Sequence, residues 1–275
     1  MSSDACHVCR HRLTHATEYN DHMILRFCFG LAVASLACLS AGPVRADETT
    51  VAVAANFTLA AKRIGEAFEA ETGHRVVFSF GSTGQLFTQM AHEAPFDAFL
   101  AADTVRPERA ETEGLGVPGT RFTYAIGVLV LWSADPDLID GSPSVLSDPK
   151  LAHVAIANPV TAPYGAAAVE TMTKLGVLED VKPRLVEGKS VGQTYQFVAT
   201  GNAPVGFVAL SQVTEDASGS RWVVPGEMHD PLRQDAILLA HGRDNAAAKA
   251  FLEFLRSAKA LKIIEGLGYV VPDKD

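Results

Sequence analysis

From Thr50 onward, short apolar runs alternate with stretches whose apolar residues recur at helical spacing, the pattern of an α/β protein with parallel strands. Val51-Ala52-Val53-Ala54 reads as a buried strand, apolar at every position because helices cover both faces of its sheet. A helix is expected over 58–72, with Ala60, Ile64, Ala67 and Phe68 on one face and Gly73 at its end. Residues 76–80 predict a second strand, which runs into Gly81-Ser82-Thr83-Gly84 and a short helix reaching His92, and 98–102 predict a third strand. The apolar run 122–132 predicts one longer strand with Gly127 inside it.

Past that run the rhythm restarts. A strand over 154–157 leads through a loop to a helix over 165–175, a short strand over 185–186 leads through 187–190 to a helix reaching about Thr200, and 205–210 predict another strand. A last strand over 236–240 precedes a C-terminal helix over roughly 245–258, with Ala247, Ala250, Phe251, Phe254 and Leu255 as its buried stripe. Two βα sets thus flank one long strand, with no Pro/Gly/Ser linker, internal repeat or low-complexity stretch between them. This predicts two α/β lobes between which the chain crosses twice, near 124–127 and 233–236, so that 47–125 plus 234–275 form one lobe and 126–233 the other.

The segment before Thr50 reads differently. Ile24-Leu25 and the apolar run 27–42, interrupted early by Arg26, precede Val44-Arg45-Ala46, the layout of a secretory signal peptide cleaved after Ala46 and implying a periplasmic protein. The unbroken apolar stretch falls short of the roughly 20 residues a membrane span needs. Ser35-Leu36-Ala37-Cys38 has its leucine one place too late for a lipid-attachment signal. Met23 is a natural start, which makes residues 1–22 an extension upstream of it. Cys6, Cys9, His11 and His15 could form half a zinc site, but no second ligand pair follows at the required spacing. All four cysteines (Cys6, Cys9, Cys28, Cys38) precede the expected cleavage point, so the mature chain uses neither a disulfide nor a catalytic thiol.

Composition narrows the partners. The chain has 275 residues, 48% of them hydrophobic and 20% charged, with a formal net charge of −9. No basic stripe is available for a nucleic acid. An anionic ligand would then have to be held by neutral donors, and four strand-to-helix junctions offer them: Ala55-Asn56-Phe57-Thr58, Gly81-Ser82-Thr83-Gly84, Ala162-Pro163-Tyr164-Gly165 and Ser190-Val191-Gly192-Gln193. Ligands of open α/β sheets bind beyond the carboxyl ends of the strands, where each junction delivers a helix N-terminus with free N–H groups and partial positive charge. Asn56 offers an amide and Ser82 and Thr83 offer hydroxyls, while Tyr164 and Val191 offer backbone N–H groups. Ordinary N-capping explains any one junction. Four of them, two in each expected lobe, point to an anion or a small polar ligand.

Two other chemistries are written in the same residues. Gly188-Lys189-Ser190-Val191-Gly192 fits the G-x-S-x-G elbow of serine hydrolases, with Asp230 or Asp235 and His241, or Asp216 and His229, as partners. Only a short, partly charged strand precedes Ser190, and no earlier HGGG-type oxyanion loop occurs. Gly188-Lys189-Ser190 is no P-loop either, since Pro183 stands where its first glycine belongs. Tyr124, Tyr164, Tyr195 and Tyr269 could hold ferric iron as phenolates, though no two lie close in sequence. Asp103, at a strand end, would repel a dianion and reads as a hinge or cap group.

Several segments together, VAVAANFT (51–58), FGSTGQL (80–86), PFDAFLAAD (95–103), NPVTAPYG (158–165), SVGQ (190–193), VGFVAL (205–210) and GYVVP (268–272), resemble the molybdate-binding proteins of ABC importers in order and spacing, over nearly the whole mature chain. The resemblance implies a type II periplasmic-binding-protein fold whose lobes close on a tetrahedral oxyanion, molybdate and also tungstate, in a monomer that serves a membrane permease and needs no cofactor. It places the ligand contacts on Ala55, Asn56, Thr83, Tyr164 and Val191, with Ser82 either a further contact or the helix cap. The metal is held as its oxyanion, with no direct coordination by the protein. Other members carry serine at the position of Asn56 and tyrosine at that of Ala209; a branch with asparagine at the former is the one this chain resembles. Sulfate or phosphate remains the competing ligand class.

Overall fold

The computed structural model describes residues 47–215 and 218–272; the expected signal peptide, the four cysteines and Asp216 lie outside them. Two five-stranded sheets organise the chain. In the first the order is β2 (Arg75–Gly81), β1 (Glu48–Ala54), β3 (Ala98–Leu100), β10 (Leu232–Leu238), β4 (Phe122–Gly127). In the second it is β7 (Leu185–Gly188), β6 (Val154–Ala157), β8 (Val205–Ala209), β5 (Leu129–Ser133), β9 (Ser220–Val223). The two lobes share one plan. Three parallel strands are followed by a strand that arrives from the other lobe and runs antiparallel to both its neighbours. The expected parallel pairing fails at β5 and β10. A strand that enters directly from the other lobe has no crossover helix to return it to the starting end of the sheet, so it runs against its neighbour.

The apolar run 122–132 is two strands, not one. It changes sheets at Val128, whose carbonyl accepts from Leu210 N at 2.9 Å. The return lies before Leu232, earlier than 233–236, because Leu232 is already paired with Gly127 in the first sheet. Hydrophobic pattern marks a run as buried but not which sheet buries it.

Burial follows strand geometry. In β1, Val51 and Val53 join the core beneath one face of the first sheet, with Ile64, Phe68 and Phe251, while Ala52 joins the other with Leu86, Phe99 and Ile237. The helix α1 (Thr58–Thr72) buries Ala60, Ile64 and Phe68 and stops at Gly73, whose φ of 73° suits glycine and whose N–H returns to Glu69 O. The expected C-terminal helix over 245–258 is followed by a further helix that the pattern did not show, both lying after the short α7 (Leu210–Val213). Ser257 leaves helical geometry after α8 (Ala246–Leu255) and caps α9 (Ala258–Gly266), its Oγ accepting from Ala260 N at 3.2 Å. Beyond α9, Val270 pairs with Ile126, fastening the chain end beside the first crossing.

Candidate functional site

All four junctions converge. The carboxyl end of β1 turns through Ala55–Phe57 into α1, and β2 passes Ser82 into α2 (Thr83–Ala91). In the second lobe β6 leads to α4 (Pro163–Lys174), counting the short α3 (Val105–Thr112) before it, and β7 passes Ser190 into α6 (Val191–Ala199), counting α5 (Leu178–Val181). One small cavity lies between them. Ala55, Asn56, Ser82, Thr83, Tyr164 and Val191 all line it, with Ala54, Gly81, Ala102, Ala162 and Pro163. Among the described residues no Lys or Arg lines it.

The donors follow from helix geometry, since the first N–H groups of a helix have no acceptor within it. In α2 the second N–H, that of Gly84, is taken by Thr161 O of the other lobe at 2.8 Å, and Gln85 N goes to Ser82 Oγ at 3.3 Å. The first N–H, that of Thr83, has no acceptor within the helix, and Thr83 lines the cavity. Likewise Ser190 Oγ accepts from Gln193 N at 3.3 Å, leaving the Val191 and Gly192 N–H groups. In α4, Gly165 N and Ala166 N bond back to Ala162 O and Pro163 has no N–H, which leaves that of Tyr164. Thr83 Oγ1 accepts from Ala102 N at 3.1 Å, so its hydrogen is free to donate elsewhere. Ser82 caps α2 and also lines the cavity.

The two capped junctions carry the same residues, Ser-x-Gly-Gln, at 82–85 and 190–193. Their glycines let the lobes touch. A Cβ on Gly84 would lie 3.0 Å from Thr161 Cα, and one on Gly192 would lie 3.4 Å from Ala55 Cβ, each neighbour belonging to the opposite lobe. Further contacts bridge the lobes: Arg106 Nη2 to Val160 O at 2.8 Å, Ser211 Oγ to Asn56 O at 3.0 Å, and the exposed Arg63–Glu215 ion pair. The cleft is closed.

The side chain of Asn56 requires a correction. Its Nδ2 donates to Gln234 Oε1 at 2.9 Å and to Tyr269 Oη at 3.2 Å, so both amide hydrogens are used within the protein. What Asn56 can offer a guest is its backbone N–H, together with that of Ala55, at the start of the turn. Gln234, flanked by Arg233 and Asp235, carries no signal in the sequence, and Tyr269 stood there only as a candidate iron phenolate and within the segment 268–272. Gln234 is fully buried; Tyr124 Oη lies 3.1 Å from its Oε1 and 2.9 Å from Ala101 O, and its Nε2 donates to Tyr164 Oη at 3.3 Å. Tyr269 Oη sits 2.7 Å from Asn56 O and 2.9 Å from Ser211 Oγ.

Tyr124, Tyr164 and Tyr269, far apart in sequence, thus gather behind the cavity, whereas Tyr195 stacks on Trp132. Burial pushes the phenols of Tyr124 and Tyr164 well above the ordinary value, with the neighbouring Tyr269 adding to it, and burial raises Tyr269 as well. They remain protonated donors, the opposite of what a phenolate iron site needs. Among the described residues no three His, Cys, Asp or Glu side chains gather as a metal site requires.

The hydrolase constellation is not assembled. Ser190 is spent as an N-cap. His241 Nδ1 lies 2.8 Å from Asp97 Oδ1, and Asp97 Oδ2 accepts from Thr50 N near the start of β1, about 17 Å of strand from Ala55. His229 Nδ1 faces Asp230 O, and Asp235 pairs with Arg121 and Thr123. Asp103 accepts from Arg106 N at 2.9 Å and pairs with its guanidinium, bracing the arginine that reaches Val160. Ala209 is buried at the end of β8 and is not among the cavity residues.

Two lobes of equal topology, closed on a small cavity walled by helix N-termini from both, define a two-lobed solute-binding protein of the type II periplasmic-binding fold. The chain matches the bacterial extracellular solute-binding protein family over residues 49–270 and belongs to it. It is 56% identical over 228 residues to the molybdate-binding protein ModA of Rhodobacter capsulatus, covering 83% of this chain and 90% of that one. It is 52% identical over 242 residues to ModA of Azotobacter vinelandii, covering 87% and 96%. The structure of the Azotobacter vinelandii periplasmic molybdate-binding protein superposes with a TM-score of 0.79 at 40% identity, covering 82% of this chain and all of the other.

Proposed function

We propose that this protein captures molybdate in the periplasm and delivers it to the membrane permease of an ABC importer, acting by binding alone, as a monomer and without a cofactor. The observation that carries this reading is the convergence of four helix N-termini, two from each lobe, on one cavity lined without Lys or Arg. Directed neutral donors suit a dianion, each hydrogen bond to a charged partner contributing about 1.5–3 kcal/mol. The chain's net charge of −9 does not oppose this at the site, because surface charge is screened over about 8–10 Å at ordinary salt. The identity to proteins named for molybdate supports the choice of oxyanion. The ligand contacts are the backbone N–H groups of Ala55, Asn56, Thr83, Tyr164 and Val191 and the hydroxyls of Ser82 and Thr83. Tungstate, of nearly the same size, binds the same donors. Sulfate has shorter bonds and leaves some of them unpaired, which costs affinity. The exported form begins at Asp47, after cleavage behind Ala46.

Calorimetric titration of residues 47–275 with molybdate, tungstate, sulfate and phosphate tests the proposal. Saturable binding of the first two with sulfate far weaker is the expected result. Preference for sulfate or phosphate would move the protein to the competing ligand class, and no binding of any would remove the oxyanion reading.

A further inference from the structure

We propose that Gln234 is the latch of the closed cleft, a positioning residue whose one amide ties the cavity wall of each lobe to the strand on which the chain returns between lobes. This rests on the binding reading above. Gln234 lies in β10, two residues into the returning strand and immediately before a register shift between Gln234 and Asp235. Its two polar atoms face different lobes. Oε1 accepts from Asn56 Nδ2 at 2.9 Å and lies 3.1 Å from Tyr124 Oη, both in the first lobe. Nε2 donates to Tyr164 Oη at 3.3 Å, in the second.

Both outer partners belong to cavity residues. Asn56 sits in the turn that ends β1, and Tyr164 is the second residue of α4, so each lines the cavity while its side chain is tied to Gln234. Rotation of the second lobe away from the first carries Tyr164 off Gln234 but leaves the Asn56–Gln234 bond within the first lobe. The Gln234–Tyr164 bond is therefore gained on closing, and it sets where the Tyr164 N–H stands relative to those of Ala55 and Asn56. The backbone allows this meeting only because residue 127 is glycine, whose Cβ would fall 2.1 Å from Tyr164 Oη and 2.6 Å from Gln234 Nε2. A hydrogen bond made only in the closed form slows release of the ligand without changing its capture.

The test uses Tyr164→Phe, which removes the hydroxyl and keeps the backbone N–H, beside Gln234→Leu and the double variant, with molybdate as probe in stopped-flow binding. Each single variant is expected to raise the dissociation rate about tenfold, with association within about twofold of wild type and the double variant no worse than the singles, as one shared bond requires. An amide that merely supports the fold would lower the melting temperature of free and loaded protein alike and leave the dissociation rate unchanged; that result, or single effects that multiply, overturns the latch. If the wild type binds no oxyanion, the functional reading falls separately, and the latch is read from small-angle scattering of the free protein. A larger radius of gyration in both single variants then supports it, and an unchanged one overturns it.

Discussion

Gly127 and Tyr164 approach so closely that a Cβ on the glycine would stand 2.1 Å from the tyrosine hydroxyl oxygen. The contact joins the last residue of β4, where the chain leaves the first lobe, to the second residue of the helix that presents a cavity N–H from the other. Gly127→Ala should therefore cost about 1–3 kcal/mol by overpacking, lowering the melting temperature by several degrees, and weaken oxyanion binding as well. Thermal denaturation and titration of the same preparation measure both.

Gly84→Ala separates closure from folding. Alanine favours the helix by about 0.8–1 kcal/mol, yet its Cβ would press against the Thr161 backbone of the facing lobe at 3.0–3.1 Å. The variant should be at least as heat-stable as wild type without ligand and bind molybdate about tenfold more weakly, read by calorimetry. Unchanged affinity would mean the lobes do not need this contact.

Ser190→Ala removes an N-cap, not a nucleophile. Loss of the Oγ to Gln193 N bond should cost about 1 kcal/mol of stability. Wild type and variant should both leave p-nitrophenyl acetate uncleaved above the rate of a denatured control. A serine-dependent ester turnover in the wild type would restore the hydrolase reading.

The buried phenols set an alkaline limit. In the unfolded chain they ionise near pH 10, whereas burial keeps those of Tyr124, Tyr164 and Tyr269 protonated in the fold. Above that pH the unfolded state has released protons that the folded state retains, so stability is full below about pH 10 and falls as pH rises, by about 1.4 kcal/mol per unit for each phenol. Urea denaturation between pH 8 and 11 reads this slope, and Tyr269→Phe should make it shallower.

Local chemistry was legible at the junctions. The helix starts at the Ser82 and Ser190 junctions, the Gly73 stop and the apolar stretch Val51–Ala54 within β1 each depend on residues a few positions apart, and all stand where the pattern put them. The first crossing was expected near 124–127 and the sheets change at Val128; that the run there is two strands was not legible, because an apolar pattern does not show which sheet each half joins. The second C-terminal helix was hidden for a related reason: Ser257 ends one helical period and starts another without interrupting the apolar spacing. Asn56 shows the limit at the site itself. An amide at a strand end reads as a ligand donor until its two hydrogens are found on Gln234 and Tyr269, 178 and 213 residues away.

The sequence by itself determined that this is an α/β protein with helix N-termini at four polar junctions, because periodicity and capping are short-range properties of the chain. Only the tertiary structure decided that these junctions share one cavity, that β5 and β10 run antiparallel, and that Gln234 stands between the lobes. Those are outcomes of which distant surfaces bury one another, and burial is indifferent to separation along the chain.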